Sequence, residues 1–173
     1  MKMGKQLDFF VDTLTNSIEK VSSGKSFDTE VIPLVKNNLS QVTKKNGWKF
    51  NWKLEFNDPK KEVYKLIIVQ IPDVIQGLIS LTIEADHVYM NLLENAPLNI
   101  GQTKEYQGVA GNLVAFACKR SFECGFDGNV AFTAKTKLIQ HYIQTLGACI
   151  IAGQRMAILE REARFLIDKY YNS

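Results

Sequence analysis

A mixed-direction α/β fold is the prediction for this chain, and three observations make it. Residues 63–94 hold three runs rich in β-branched and large apolar residues, the last two separated only by Asp86 and His87. That is the pattern of antiparallel strands closing in a tight hairpin. After residue 107 the pattern becomes helix, strand, helix and closing strands, with Gly125 and Gly147 placed as helix stops. No Pro/Gly/Ser-rich linker or internal repeat divides the 173 residues, and a chain of this length suits one domain, here residues 1–173.

The elements follow in order. The opening stretch supports two readings: Phe10, Leu14, Ile18 and Val21 fall at helical spacing, whereas Val11, Thr13 and Thr15 are β-branched and suit a strand. Ser22, Ser23 and Gly24 mark a turn. Residues 30–34 read as a short strand, and Val35, Leu39 and Val42 as one face of a helix ending near Gly47. After a polar break at Asn57, Asp58 and Pro59, strands are expected at residues 63–71, 75–85 and 88–94. Residues 95–107 read as loop, with Pro97 and Gly101. Residues 112–123 make a helix whose apolar stripe holds Leu113, Phe116, Ala117 and Phe122. A strand at 129–133, a helix at 135–146, strands at 149–151 and 155–159 and a last helix from residue 161 complete the chain. Such an order predicts a mostly antiparallel sheet flanked by helices.

Composition narrows the functions. With 46% hydrophobic and 23% charged residues the chain is not of the disordered class. A net charge of +3 does not by itself indicate a nucleic-acid partner. Cys118, Cys124 and Cys149 form no CxxC pair, and His87 and His141 are the only histidines, so no zinc spacing appears and no metal is expected. The start, MKMGKQLDFF, lacks the apolar core of a secretory signal, and no run approaches the roughly 20 residues of a membrane helix. A cytoplasmic protein with reduced thiols is the expectation, with no membrane partner.

The segment with chemical content is YQGVAGN, residues 106–112, at the start of the expected helix. The first N–H groups of a helix have no partner within it, and the dipole there is positive. Gly108 and Gly111 allow close approach of the main chain, so the corner can hold a phosphate; it can equally be a structural turn. The GxGxxG spacing of dinucleotide sites is absent, as is the Gly-Lys-Ser/Thr ending of an ATP loop.

At this bend the sequence resembles the GNAT acyl-CoA N-acyltransferase superfamily. Gln107 starts the glycine turn, Leu113 and Phe116 open the helix, NVAFT supplies the next strand, and KLIQHYIQTLGA supplies the following helix with its glycine end. The likeness spans residues 63–159 and extends to a small group of uncharacterised bacterial GNAT-like proteins. It implies a central sheet splayed between the family's fourth and fifth strands. Residues 1–60 would then shape the acceptor side, 63–159 would bind acyl-CoA, and 160–173 would add a C-terminal helix. It further implies that acetyl-CoA is the acyl donor, with its diphosphate on the N–H groups of Gln107, Gly108, Val109, Ala110, Gly111 and Asn112. The pantetheine arm would pair with the strand edge near Leu92 and Leu93. An amine, deprotonated directly or through water, would attack the thioester in a ternary complex, and the thiolate would take a proton from Tyr142 or a water; Glu94, at the end of the strand beside the thioester, is the candidate base. Homodimers are common in that family.

Each of these residues has a plainer reading beside it. Glu94 is also a strand-end carboxylate, Tyr142 a core aromatic, Asn112 a helix cap, and Lys135 and Lys137, which could meet phosphates, a solvated helix start. In residues 44–53, KKNGWKFNWK, cations interleave with Trp48, Phe50 and Trp52; packing under the sheet ranks first, an acceptor pocket second and nucleic-acid stacking last. Three functions therefore compete: an N-acetyltransferase, a non-catalytic acyl-CoA-binding or sensing module, and a nucleic-acid-associated protein. The first two need a bend open to a diphosphate and strands that part beside it.

Overall fold

The structure, a computed structural model, describes residues 5–171. Residues 1–4 of the start, and 172–173 of the expected C-terminal segment, lie outside the described residues. The chain enters without regular structure and reaches strand β1 (Ile18–Lys20), which turns into β2 (Ser26–Phe27) and then β3 (Thr29–Pro33). Neither the helix nor the full strand expected before Gly24 forms. Phe10 and Val21 are exposed while Leu7, Phe9, Val11 and Ile18 are buried, a period of two at residues 7–11.

Residues 35–47 correct the helix expected there. They form two 3₁₀ turns, Lys36–Asn38 and Lys44–Asn46. Side chains compete for the backbone: Asn38 Oδ1 accepts the Val35 N–H, and Asn46 Nδ2 donates to the carbonyls of Ser40 and Gln41, bonds that favour turns over helix. A short helix the sequence reading missed, α1 (Trp52–Asn57), follows, with Asn51 capping the Leu54 N–H at 3.2 Å.

The expected hairpin is present. β4 (Glu62–Ile68), β5 (Ile71–Ile83) and β6 (Val88–Asn95) pair antiparallel, and Ile83 faces Val88 across the Asp86–His87 turn. The run read as 63–71 breaks at Val69 and Gln70, so β5 starts earlier than expected and is 13 residues long. Within the expected loop lies β7 (Tyr106–Gln107), which pairs with β1. Helix α2 (Val109–Glu123) is buried almost all round over its first ten residues. It packs on β5 and β6 and, on its other side, on α4 (Glu160–Tyr171). Between these helices lie β8 (Val130–Thr133), α3 (Ile139–Leu146), β9 (Cys149–Ala152) and β10 (Arg155–Ile158). The main sheet has the order β3-β4-β5-β6-β8-β10-β9, beside a small sheet β2-β1-β7. All its neighbours are antiparallel except β6 and β8. Among the described residues no helix is long and apolar enough to cross a membrane.

Candidate functional site

The parallel pairing of β6 and β8 is brief. Val88 faces Val130 and Tyr89 faces Ala131, and the rest of β6 has no partner on β8. The opening segment takes the edge so released at Leu7. The Leu7 N–H donates to the Thr133 carbonyl at 2.7 Å, and the Leu7 carbonyl accepts from the Lys135 N–H at 3.0 Å. Ala134, between them, donates to Gln154 beside β10; Leu7 therefore lies on the opposite edge of β8, the one facing β6. Farther along, the Tyr142 hydroxyl donates to the Phe9 carbonyl at 2.7 Å, the Val11 N–H donates to His141 Nε2 at 3.0 Å, and the Thr15 N–H donates to the Tyr170 hydroxyl at 3.1 Å. Leu7, Phe9 and Val11 point into the core, where the Phe9 ring lies 4.7 Å from that of Tyr142.

The acidic residues of this segment meet cations. Asp8 accepts from Lys135 Nζ at 2.7 Å, with Lys49 Nζ at 3.8 Å. Burial pulls the Asp8 carboxyl upward, but Lys135, Lys49 and Lys137 outweigh it and hold it below the usual carboxylate range. Asp12 Oδ1 accepts the Gly108 N–H at 3.2 Å, and Oδ2 accepts from Lys104 Nζ at 2.9 Å.

The bend itself is covered. Gly108 has the left-handed φ of 87°, and a Cβ there would collide with the Thr15 hydroxyl and the Ser17 carbonyl; one on Gly111 would strike the Tyr170 hydroxyl and Leu14. Val109 and Ala110 are buried. Gln107 pairs with Glu19 in the small sheet and donates its side-chain amide to that carboxylate at 3.3 Å. Asn112 turns its side chain to Thr29, at 3.0 Å, rather than toward the bend.

Glu94 and Tyr142 are both enclosed. Glu94 is 5% exposed, and its carboxylate accepts the N–H groups of Lys49 at 2.6 Å and Phe50 at 3.3 Å and the Trp52 indole N–H at 2.8 Å. It thus fastens the aromatic loop. Trp48 and Trp52 pack inside while Lys44, Lys45, Lys49 and Lys53 stay exposed, the arrangement ranked first above. Tyr142 is fully buried; burial and then the Asp8 charge push its phenol up, so it stays protonated. Leu92 and Leu93 are buried on β6. Trp48 also lines an open cavity of about 360 Å³ with Val42, Asp73, Ile75 and Pro97. Among the described residues no group of acidic, histidine and cysteine side chains is arranged to hold a metal.

Asp8, Asp12, Lys104 and Tyr170 were not singled out from the sequence. For Asp8 and Asp12 the signal was the alternation LDFFVD at residues 7–12, apolar at 7, 9 and 11 with acids between and after; nothing local marked Lys104 or Tyr170.

Sheet order, the lone parallel junction and the parting beyond it give a GNAT-like fold. Among the solved structures that share it are those of spermidine N-acetyltransferase SpeG from Vibrio cholerae. Its structure with CoA and spermine is 16% identical at a TM-score of 0.54, over 79% of this chain and 98% of that one. A point mutant of the same enzyme is 15% identical at 0.54, over 78% and 95%, and a dodecameric form in an intermediate state is 15% identical at 0.55, over 78% and 95%. No family model and no curated protein matches the sequence.

Proposed function

We propose that the chain is an N-acetyltransferase that takes an acetyl group from acetyl-CoA and passes it to an amine by direct attack. The observation that carries this reading is the pairing of an anion-accepting helix start with parted strands. At Gly108 an N–H and the Lys104 ammonium already hold a carboxylate, the kind of charge a diphosphate presents. In the donor-bound state the diphosphate takes the N–H groups of residues 108–111, because the Asn112 N–H already donates to the Gly108 carbonyl and Gln107 is paired with Glu19, and the pantetheine arm runs along β6 near Leu92 and Leu93. The amine comes from the side of Trp48 and Asp73, where an anion can draw an ammonium. Its nitrogen lone pair attacks the thioester carbon, the C–S bond breaks, and the Tyr142 hydroxyl returns a proton to the departing thiolate. Glu94 accepts the amine proton through water once its loop loosens; in the closed protein it positions residues 49–52. SpeG, crystallised with CoA and spermine, makes polyamines the first acceptors to try.

The cost of access is the main constraint. Freeing Leu7, Phe9 and Val11 exposes three buried side chains at about 1.5–3 kcal/mol each, an upper estimate, so donor affinity in the native protein is weak.

A second reading follows from the covered bend. Thr15, Ser17 and Tyr170 stand where a donor would approach, as expected of a GNAT fold that has given up its acyl-CoA site. One assay separates the two: purified protein with acetyl-CoA and spermidine, spermine or small primary amines, followed by mass spectrometry of the acceptor. An acetylated amine formed faster than in a protein-free control supports the transferase. No product, with no thermal shift at millimolar acetyl-CoA, favours the second reading.

A further inference from the structure

We propose that residues 6–15 are an intrasteric strap: a built-in competitor that occupies the acyl-donor groove and must leave it before acetyl-CoA enters. This rests on the donor-site reading above and adds regulation of that site.

Three features of the segment match what it would exclude. Its backbone bonds to the β6-facing edge of β8 through both the N–H and the carbonyl of Leu7, filling the gap where a pantetheine amide arm would run. A fixed anion sits at the start of α2, because the Asp12 carboxylate takes the Gly108 N–H and the Lys104 ammonium. The carboxylate of Asp8 holds Lys135, a cation free to meet phosphates once released. The Phe9 carbonyl also engages the Tyr142 hydroxyl, so the strap silences the proton donor while it blocks the groove. Displacement exchanges carboxylates for phosphates on the same partners, and the donor's apparent affinity falls by the fraction of molecules with the strap out.

Hydrogen exchange on the full-length protein, with and without saturating acetyl-CoA, reads the strap directly. The amides of Leu7, Val11 and Thr15, each bonded in the closed form, should lose protection when acetyl-CoA binds. Asp12→Ala removes the anion at α2 and should bind acetyl-CoA about tenfold more tightly than the native protein. If acetyl-CoA binds with all three amides still protected, or binds both proteins equally, the strap is refuted and the donor site stands. If neither protein binds acetyl-CoA up to millimolar concentration, the donor-site reading falls, and the strap with it.

Discussion

The Asp12 carboxylate accepts the Gly108 N–H at 3.2 Å, which puts a side chain of the opening segment at the N-cap of α2, 96 residues along the chain. This one bond joins the segment that fills the gap to the bend chosen from sequence as the phosphate corner. Four predictions test the arrangement and its surroundings.

Gly108→Ala places a methyl group against Thr15 and Ser17 at a backbone position with a φ of 87°. Left-handed backbone costs a non-glycine residue about 1–2 kcal/mol, and overpacking adds about 1–3 kcal/mol. Urea denaturation should show a loss of roughly 2–5 kcal/mol at constant m-value. A loss under about 0.5 kcal/mol, the size of an ordinary surface change, would mean that the opening segment does not close on the bend.

His141 ties stability to pH. Its Nε2 accepts the Val11 N–H, so the ring is neutral in the folded protein, and burial lowers its pKa from the ordinary value near 6.5. The unfolded chain therefore binds the extra proton first, and the stabilisation is complete above about pH 6.5 and fades as pH falls through the folded value. The gap in melting temperature between the native protein and His141→Phe should narrow from pH 7.5 to pH 5. A constant gap would exclude the bond to Val11.

Glu94→Gln turns an amide NH₂ toward donors that now meet a carboxylate oxygen. With Lys49, Phe50 and Trp52 all donating to Glu94, the substitution should cost about 1–3 kcal/mol and loosen residues 49–52. Tryptophan emission should shift to the red as Trp52 meets water. If the variant acetylates an amine at the native rate, Glu94 is not the base.

The thiols should separate by access. Cys149 is exposed, Cys118 is fully buried, and burial pushes the Cys118 thiol well above its usual range. Maleimide labelling under native conditions should reach Cys149 first and Cys118 only after denaturation. Early labelling of Cys118 would show that α2 opens on its own.

Much of the second half could be read from the chain. The hairpin at Asp86 and His87 and the stops at Gly125 and Gly147 are local signals, carried by residues whose backbone preferences act within a few positions. The order of strands from residue 63 onward also pointed to the mixed sheet, whereas its parting was implied only by the family resemblance. Residues 35–47 were misread because the spacing of Val35, Leu39 and Val42 mimics a helix, while Asn38 and Asn46 bond back to the main chain and hold turns instead. Trp48 and Trp52 could be placed under the sheet in general terms, yet nothing local revealed that Glu94 would gather their loop.

The sequence by itself determined the periodicities, the turn residues and the glycine bend before Leu113, because these depend on preferences of neighbouring residues. Only the tertiary structure decided what meets that bend. Asp12, Thr15 and Tyr170 converge there from both ends of the chain, and Phe9 reaches the Tyr142 hydroxyl from 133 residues away. Such meetings are set by how Leu7, Phe9, Val11 and Ile18 are buried against the sheet, a free energy that belongs to the packed whole; the alternation at residues 7–12 marks an inward face but not what that face meets.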